Sequence, residues 1–190
     1  MKHILAYLFF VSFLGASALA DEVVVMEIRV GKTKQLKKVV IDLHEEDAPE
    51  TAENFKKLAR KGFYKKIKIH RVFAGLLVQM GDPLSRGKDR RKVGTGGPGY
   101  TLPPEIGRKH TTGALAMTRL PDAINPGRLS NGSQFYVCLK PMPNLDGQYT
   151  VFGEVIEGLE ALEEISRLPA DTNDNPIEQV EIRSTRVEQR

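Results

Sequence analysis

Hydrophobic and polar residues alternate in short runs along most of this chain, a pattern typical of β-strands that bury one face. Residues 23–30 are mostly β-branched, with polar positions interleaved from Glu27, and residues 36–43 repeat the pattern after a polar turn. Two such runs predict a β-hairpin. Further runs predict two strands either side of Ala74-Gly75, and others at residues 113–118, 131–139, 145–153 and 177–187.

Two segments follow the helical period instead. After Pro49, the apolar residues Ala52, Phe55, Leu58 and Ala59 fall on one stripe, and a glycine at position 62 supplies a stop. Leu159, Leu162 and Ile165 form a second stripe within residues 158–168. We therefore expect two short helices, with Phe55 and Leu162 in the core.

Many short strands and two separated helices predict an all-β fold. A closed antiparallel barrel capped by the two α-helices satisfies this pattern best, because closure leaves no exposed sheet edge. The chain has 190 residues, 41% of them hydrophobic and 27% charged, which is the composition of one globular domain.

The N-terminus differs from the rest of the chain. A short basic start is followed by an apolar run at residues 4–14 and by Ala18-Leu19-Ala20, which has the form of a signal-peptidase site. We expect residues 1–20 to be a signal peptide and residues 21–190 to form one exported domain, most simply periplasmic in a Gram-negative bacterium. Without Lys2, 27 basic residues face 24 acidic ones, so the charge does not call for nucleic acid. No second apolar stretch has spanning length, so we expect no stable membrane association after cleavage.

The sequence lacks the residues that most kinds of catalytic site need. Cys138 is the only cysteine and lies in an apolar run, so a buried, inert thiol is expected. The histidines show no metal-ligand spacing, and His70 is interpreted as a structural residue between strands. Residues 94–99 match G-x-G-x-x-G, but the prolines at 98, 103 and 104 forbid the helix that dinucleotide binding needs.

One polar pair remains to be explained. Arg71 and Gln79 lie among aliphatic residues of two neighbouring strands, and a buried polar group is costly unless something pairs with it. Strand alternation would place Ile69 and Arg71 on one face, and Leu77 and Gln79 on one face of the return strand. A charged group beside an apolar surface is suited to stabilising charge that develops only in a transition state.

The stretch from His70 to Pro83, His-Arg-Val-Phe-Ala-Gly-Leu-Leu-Val-Gln-Met-Gly-Asp-Pro, resembles the central motif of the cyclophilin-type peptidyl-prolyl cis-trans isomerases. Three further segments fit in the right order: residues 94–99, residues 113–117, and residues 131–136 with 145–147 and 151–153 downstream. The resemblance covers about residues 23–187. It implies an eight-stranded barrel and an isomerase that needs no cofactor and no metal.

The resemblance also implies roles for individual residues. Arg71 would hydrogen-bond the prolyl nitrogen as the amide twists, and Gln79 would orient Arg71 and the substrate carbonyl. An apolar slot would receive the proline ring, and other side chains would line the path of the flanking peptide. The slot residues implied are Leu76, Leu77, Tyr136 and Leu145, and the flanking residues are Thr118, Arg119 and Gln134.

Several positions depart from the family's common pattern. Leu76 replaces an aromatic residue, Tyr136 adds a hydroxyl that needs a partner, Asn144 stands at the usual Trp position, and Tyr149 at the usual His position, where it would also contact substrate. Between Met117 and Asn131 the chain is several residues longer than the compact pattern.

The sequence therefore predicts an exported, monomeric peptidyl-prolyl isomerase acting on proline-containing polypeptides. Two alternatives stay open. One is a proline-segment binding protein or chaperone with little catalysis. The other is an interaction module whose basic loop docks on an anionic partner, the loop carrying Arg86, Lys88, Arg90, Arg91 and Lys92.

Overall fold

A computed structural model describes residues 22–190; the expected signal peptide lies outside them. These residues form ten strands and two α-helices. The strands are β1 (Glu22–Val30), β2 (Lys37–Leu43), β3 (Arg71–Phe73), β4 (Leu77–Met80), β5 (Thr101–Leu102), β6 (Ala114–Met117), β7 (Ser130–Asn131), β8 (Phe135–Cys138), β9 (Val151–Glu157) and β10 (Val180–Gln189). The helices are α1 (Pro49–Arg60) and α2 (Leu159–Ser166). None of the helices within these residues is long and apolar enough to cross a membrane.

Eight strands form one antiparallel sheet in the order β10-β1-β2-β9-β6-β8-β4-β3, and β5 pairs with β7 separately. The predicted hairpin is confirmed, since β1 and β2 are neighbours with Val24 opposite Ile41. The eight-stranded antiparallel sheet is confirmed too, with one qualification about its closure. No continuous ladder joins the outer strands β3 and β10.

Closure is made by residues 66–69, which precede β3. The backbone N–H of Ile69 donates to Val180 (3.0 Å), and Ile182 donates to Ile67 (2.8 Å). The chain then changes partner at His70, whose N–H donates to Gln79 of β4 (3.1 Å). This change corrects the expectation that Ile69 and Arg71 share a face: Ile69 is 2% exposed in the core, whereas Arg71 lies outside. Side chains alternate between the two faces of a sheet only while the strand keeps one regular hydrogen-bonding partner.

The interior of the curled sheet is packed with apolar side chains, and the two helices close it. Phe55 of α1 and Leu162 of α2 are each 1% exposed, as predicted. The Phe55 ring lies 5.2 Å from Phe135 and from Phe152, mostly edge to face. Such pairs add about 0.5–1.5 kcal/mol to the burial of their area.

The N-terminus of α1 begins at Pro49 as predicted, but its cap comes from far along the chain. The Glu105 carboxylate accepts the backbone N–H groups of Glu50 and Thr51, both at 2.9 Å. A carboxylate there satisfies free amides and complements the positive end of the helix dipole. The loop that carries Glu105 is thereby tied to the helix.

Candidate active site

The candidate site lies on the outer face of three adjacent strands, β4, β8 and β6. In their register, Tyr136 of β8 is opposite Gln79 of β4 and Ala116 of β6, and Leu77 is opposite Cys138. Their neighbours along each strand point inward to the main core, as period-two alternation requires. Burial raises the pKa of Cys138 to about 12, which leaves an inert thiol, as expected.

A cavity of about 530 Å³ opens over this face. Nine of the ten residues expected in the site line it: Arg71, Leu77, Gln79, Thr118, Arg119, Gln134, Tyr136, Leu145 and Tyr149. Leu76 does not line the cavity and instead packs against the apolar cluster beneath it, together with Leu77, Leu145 and Tyr149. The structure therefore gathers nine of the ten residues around one cavity and places Leu76 in the apolar cluster that supports it.

Arg71 stands at the rim of the cavity, opposite Gln79 in the β3–β4 pairing. Its side chain is 47% exposed. The guanidinium carbon lies 4.7 Å from the centre of the Phe73 ring, and Nε lies 3.5 Å from a carboxylate oxygen of Asp174. The two terminal nitrogens make no hydrogen bond to any residue within 22–190. They are available to an acceptor in the cavity.

Gln79 differs from its expected role. Its amide donates to the side-chain oxygen of Gln134 (3.2 Å), and in the described part of the chain it makes no hydrogen bond to Arg71. Gln134 in turn donates to the carbonyls of Gly94 (3.0 Å) and Gly96 (2.7 Å). The two glutamines therefore connect the strands to residues 94–99, called the glycine segment below, and the polar group that contacts Arg71 is the carboxylate of Asp174.

The glycine segment forms a wall of the cavity through Gly94 and Thr95. The buried carboxylate of Asp82 accepts the N–H groups of Gly94 and Gly96 and also that of Leu84 (2.7 Å). A Cβ at position 96 would lie 2.3 Å from an Asp82 oxygen, so this position requires glycine. No helix opens here, which agrees with rejecting dinucleotide binding.

Behind the slot lies a hydrogen-bond network of Asp146, His110 and Tyr136 that the sequence interpretation missed. The backbone N–H of His110 donates to Asp146 (2.8 Å), and Nδ1 lies 2.9 Å from the same carboxylate oxygen. With Nδ1–H directed at Asp146, Nε2 accepts the Tyr136 hydroxyl at 2.9 Å. These hydrogen bonds from His110 lower the pKa of Asp146, and burial raises that of Tyr136. A buried Tyr136 hydroxyl needs a hydrogen-bond partner, and this need is the one sequence signal that could have led to His110 and Asp146.

Arg119 lines the cavity, but its donors are used within the fold. Nε donates to the carbonyl of Gln148 (2.8 Å), the guanidinium lies 4.8 Å from the centre of the Tyr149 ring, and a further nitrogen pairs with Asp122. Only 5% of the side chain is exposed. Arg119 therefore stabilises the wall of the cavity and offers it little charge.

The basic loop is tied to the fold at two points. Arg86 donates to the carbonyl of Lys65 (3.1 Å) and lies over the Phe63 ring. Arg90 pairs with Asp171 (2.8 Å) and donates to the carbonyl of Pro176 (2.9 Å).

His70 is 5% exposed, as a structural residue should be, yet neither ring nitrogen has a well-formed hydrogen bond within residues 22–190. No group of three or more metal-ligating side chains occurs in that span.

The chain was compared with known proteins. It matches the family described as cyclophilin type peptidyl-prolyl cis-trans isomerase/CLD over residues 25–187. It is 42% identical to peptidyl-prolyl cis-trans isomerase B of Bacillus subtilis over 132 residues, covering 68% of this chain and 83% of that protein. It is 35% identical to a peptidyl-prolyl cis-trans isomerase of Arabidopsis thaliana over 150 residues, covering 77% and 85%.

Solved structures agree. A cyclophilin-type peptidyl-prolyl cis-trans isomerase from Cryptosporidium parvum superposes with a TM-score of 0.76 at 26% identity, covering 90% of this chain and 99% of that one. The same protein was crystallised in the presence of the dipeptide Ala-Pro, and that structure superposes with a TM-score of 0.71 at 26% identity, covering 87% and 99%. This chain belongs to the cyclophilin-type peptidyl-prolyl cis-trans isomerase family.

Proposed function

We propose that this protein accelerates rotation about X-Pro peptide bonds in unfolded or extended polypeptides, with Arg71 as its catalytic residue. The uncatalysed barrier is the loss of amide resonance, about 18–20 kcal/mol, and exchange takes tens to hundreds of seconds. An enzyme that turns over at about 10²–10³ per second must lower this barrier by roughly 4–7 kcal/mol. No nucleophile, metal or cofactor takes part in such a rotation.

The observation that carries the proposal is the position of the Arg71 guanidinium at the rim of an apolar slot. Twisting the amide localises the lone pair on the prolyl nitrogen, which then becomes a better hydrogen-bond acceptor. The free terminal nitrogens of Arg71 are donors that such a lone pair can accept. Because this bond is strongest in the twisted state, it lowers the barrier rather than the energy of the bound substrate.

The apolar slot supplies the binding part of the reaction. Leu77, Tyr136 and Leu145 line the cavity beside Arg71, and a proline ring fits an apolar surface of this kind. The relative crystallised with Ala-Pro supports a proline-containing ligand. In the same proposal the protein acts as a monomer, without nucleic acid and without stable membrane association.

Export belongs to the proposal as well. It is supported by the basic start, the apolar run and the Ala18-Leu19-Ala20 site, and cleavage after Ala20 would leave β1 complete. A periplasmic isomerase would meet secreted chains before they fold. Fractionation of the source cells, with the mass of the mature protein, tests this part: a protein that retains residues 1–20 in the cytoplasm would contradict it.

The catalytic part is tested by NMR exchange rates of an Ala-Pro peptide with and without protein. We expect Arg71→Ala to slow isomerisation at least tenfold while the fold survives. Arg71→Lys should restore only part of the rate, because an ammonium lacks the planar fork of donors. Wild-type rates in a folded Arg71→Ala protein would contradict the mechanism. Peptide binding without exchange in the wild-type protein would favour the binding protein or chaperone instead.

A further inference from the structure

Three large aliphatic side chains are exposed in one segment, residues 118–129, which joins β6 to β7 and is called the β6–β7 loop below. Leu120 is 59% exposed, Ile124 71% and Leu129 41%. All three line the cavity that contains Arg71. Exposed aliphatic side chains gathered at one site, beside a binding cavity, indicate a surface that contacts a ligand. This loop is also where the chain is longer than the compact family pattern.

The β6–β7 loop is held in place by its own polar residues. The Asp122 carboxylate pairs with Arg119 and with Arg128, the latter at 3.0 Å. Asn125 bridges the loop, since its side chain donates to the carbonyl of Leu129 (2.8 Å) and accepts the N–H of Leu129 (3.0 Å). The hydrogen bonds from both arginines lower the pKa of Asp122. The aliphatic side chains are therefore displayed from a braced backbone.

The loop is also fixed to the far wall of the slot. Arg128 donates to the carbonyl of Gly147 (3.1 Å), and Arg119 donates to that of Gln148 (2.8 Å). Both carbonyls lie beside Leu145 and Tyr149, which line the proline slot. The exposed aliphatic surface and the slot are thus connected by two hydrogen bonds. A client side chain bound on the aliphatic surface therefore lies close to the proline bound in the slot.

The cavity has room for more than a proline ring. Its volume of about 530 Å³ is within the usual range for pockets that enclose a whole small ligand. The lining of the cavity is polar at Gly94, Thr95 and Gln134, and aliphatic at Leu120, Ile124 and Leu129. A peptide crossing the cavity would meet polar groups on one side and an apolar surface on the other.

We propose that Leu120, Ile124 and Leu129 form a second apolar subsite that receives a hydrophobic side chain of the client flanking the proline. The protein would then prefer prolines within apolar segments, which are exposed only in unfolded chains. This inference rests on the proposed isomerase function, because it assigns the client's proline to the adjoining slot. A buried aliphatic contact of this kind should be worth roughly tenfold in kcat/KM, or about 1.4 kcal/mol.

The test uses a series of peptides that each contain one Ala-Pro bond. Leu or Ser is placed in turn at each of the three positions before the Ala and at each of the three positions after the Pro. NMR exchange measures kcat/KM for each peptide with the full-length mature protein. We expect Leu to be preferred roughly tenfold at one or two positions on one side. The triple variant Leu120→Ser/Ile124→Ser/Leu129→Ser should reduce that ratio to within about twofold.

A matched control is Leu36→Ser/Ile177→Ser, which replaces exposed aliphatic residues outside the cavity, 40% and 64% exposed. This variant should keep the wild-type ratio. A wild-type protein that treats Leu and Ser peptides alike at every position would overturn the subsite, as would a preference that survives the triple variant. Either outcome leaves the isomerase function intact.

A binding readout separates the two proposals if catalysis fails. Methyl resonances of Leu120, Ile124 and Leu129 should shift when the preferred Leu peptide is added to Arg71→Ala protein. They should shift much less with the matching Ser peptide. Shifts with no exchange in the wild-type protein would support the subsite and contradict the isomerase proposal. No selective shifts would contradict the subsite, whatever the exchange rates.

Discussion

The carboxylate of Asp174 lies 3.5 Å from Nε of Arg71, whereas the two terminal nitrogens of this guanidinium make no hydrogen bond within residues 22–190. The loop that carries Asp174 is tied to the strand of Arg71, because the N–H of Val72 donates to the Asp174 carbonyl (2.9 Å). Asp174 itself has a φ of 61°, a left-handed conformation that Asp and Asn adopt more easily than other residues. Asp174 therefore contacts Arg71 from outside the cavity, since it is not among the residues that line it.

Asp174→Asn should therefore reduce kcat roughly three- to tenfold with little change in KM, because a misoriented donor is lost mainly from the transition state. Asparagine keeps the left-handed backbone and removes only the charge. Stability should change by less than about 1 kcal/mol, as for an exposed ion pair. Asp174→Glu should restore part of the rate.

The matched control for Asp174 is Asp89→Asn, which removes a carboxylate paired with the exposed Arg91. Its exchange rates should equal those of the wild-type protein. The Nε–H resonance of Arg71 should move in Asp174→Asn and stay in the control. An unchanged kcat together with an unchanged resonance would show that Asp174 does not position Arg71.

His70 predicts a dependence of stability on pH. Burial lowers its pKa, and the Asp82 carboxylate and the Lys68 backbone offset this only in part. A pKa lowered by folding means that the unfolded chain binds the proton more readily, so stability is complete above about pH 6.5 and declines as the pH falls below it. At pH 5.5 the loss should reach at most about 1.4 kcal/mol.

Urea unfolding of wild-type, His70→Leu and His70→Asn proteins at pH 7.5 and 5.5 measures this. Both variants should lose less free energy of unfolding than the wild-type protein between the two pH values, whatever their absolute stability. Carboxylates contribute little in this range, because they titrate mainly below pH 5. Equal losses in all three proteins would contradict the assignment to His70.

The aromatic cluster around Phe55 should be the largest single contribution to stability that we can name. Phe55→Ala should lower the free energy of unfolding by about 3–5 kcal/mol and Leu162→Ala by about 2–5 kcal/mol, since each leaves a cavity in a packed core. Leu36→Ala, at a position 40% exposed, is the control and should cost less than about 1 kcal/mol. Chemical denaturation measures these free energies of unfolding. A midpoint equal to that of the wild-type protein in either variant would contradict the predicted burial of that residue.

Asn144 predicts weak inhibition by cyclosporin, the cyclic peptide that binds the proline slot in many relatives. Where binding is tight, the family's Trp at this position donates a hydrogen bond and covers apolar surface. Asn144 is exposed here and offers far less area. The loss should reduce affinity by roughly 30- to 1,000-fold, and Asn144→Trp should restore part of it. Titration of the drug in the exchange assay measures both; nanomolar inhibition of the unmodified protein would contradict the role given to Asn144.

Much of this site could be predicted from local pattern. Period-two alternation in β4 and β8 places Val78 and Val137 in the core, so Gln79 and Tyr136 must lie on the opposite face. The helical stripes placed Phe55 and Leu162 correctly for the same reason, because each depends on spacing along one element. The resemblance of several segments to the family's motifs then indicated that these elements form one site.

The sequence by itself determined the strands of the main sheet, the two helices and most of the residues that line the cavity, because these depend on periodicity and on the quoted motifs. Tertiary structure alone decided that Asp174 contacts Arg71, that Gln79 bonds to Gln134, and that the β6–β7 loop turns its aliphatic residues toward the cavity. Such partners lie far apart in the chain. Gln79 meets Gln134 because β4 pairs with β8, and Asp174 meets Arg71 where residues 66–69 reach β10. The period of a strand carries no information about which strand or loop lies beside it.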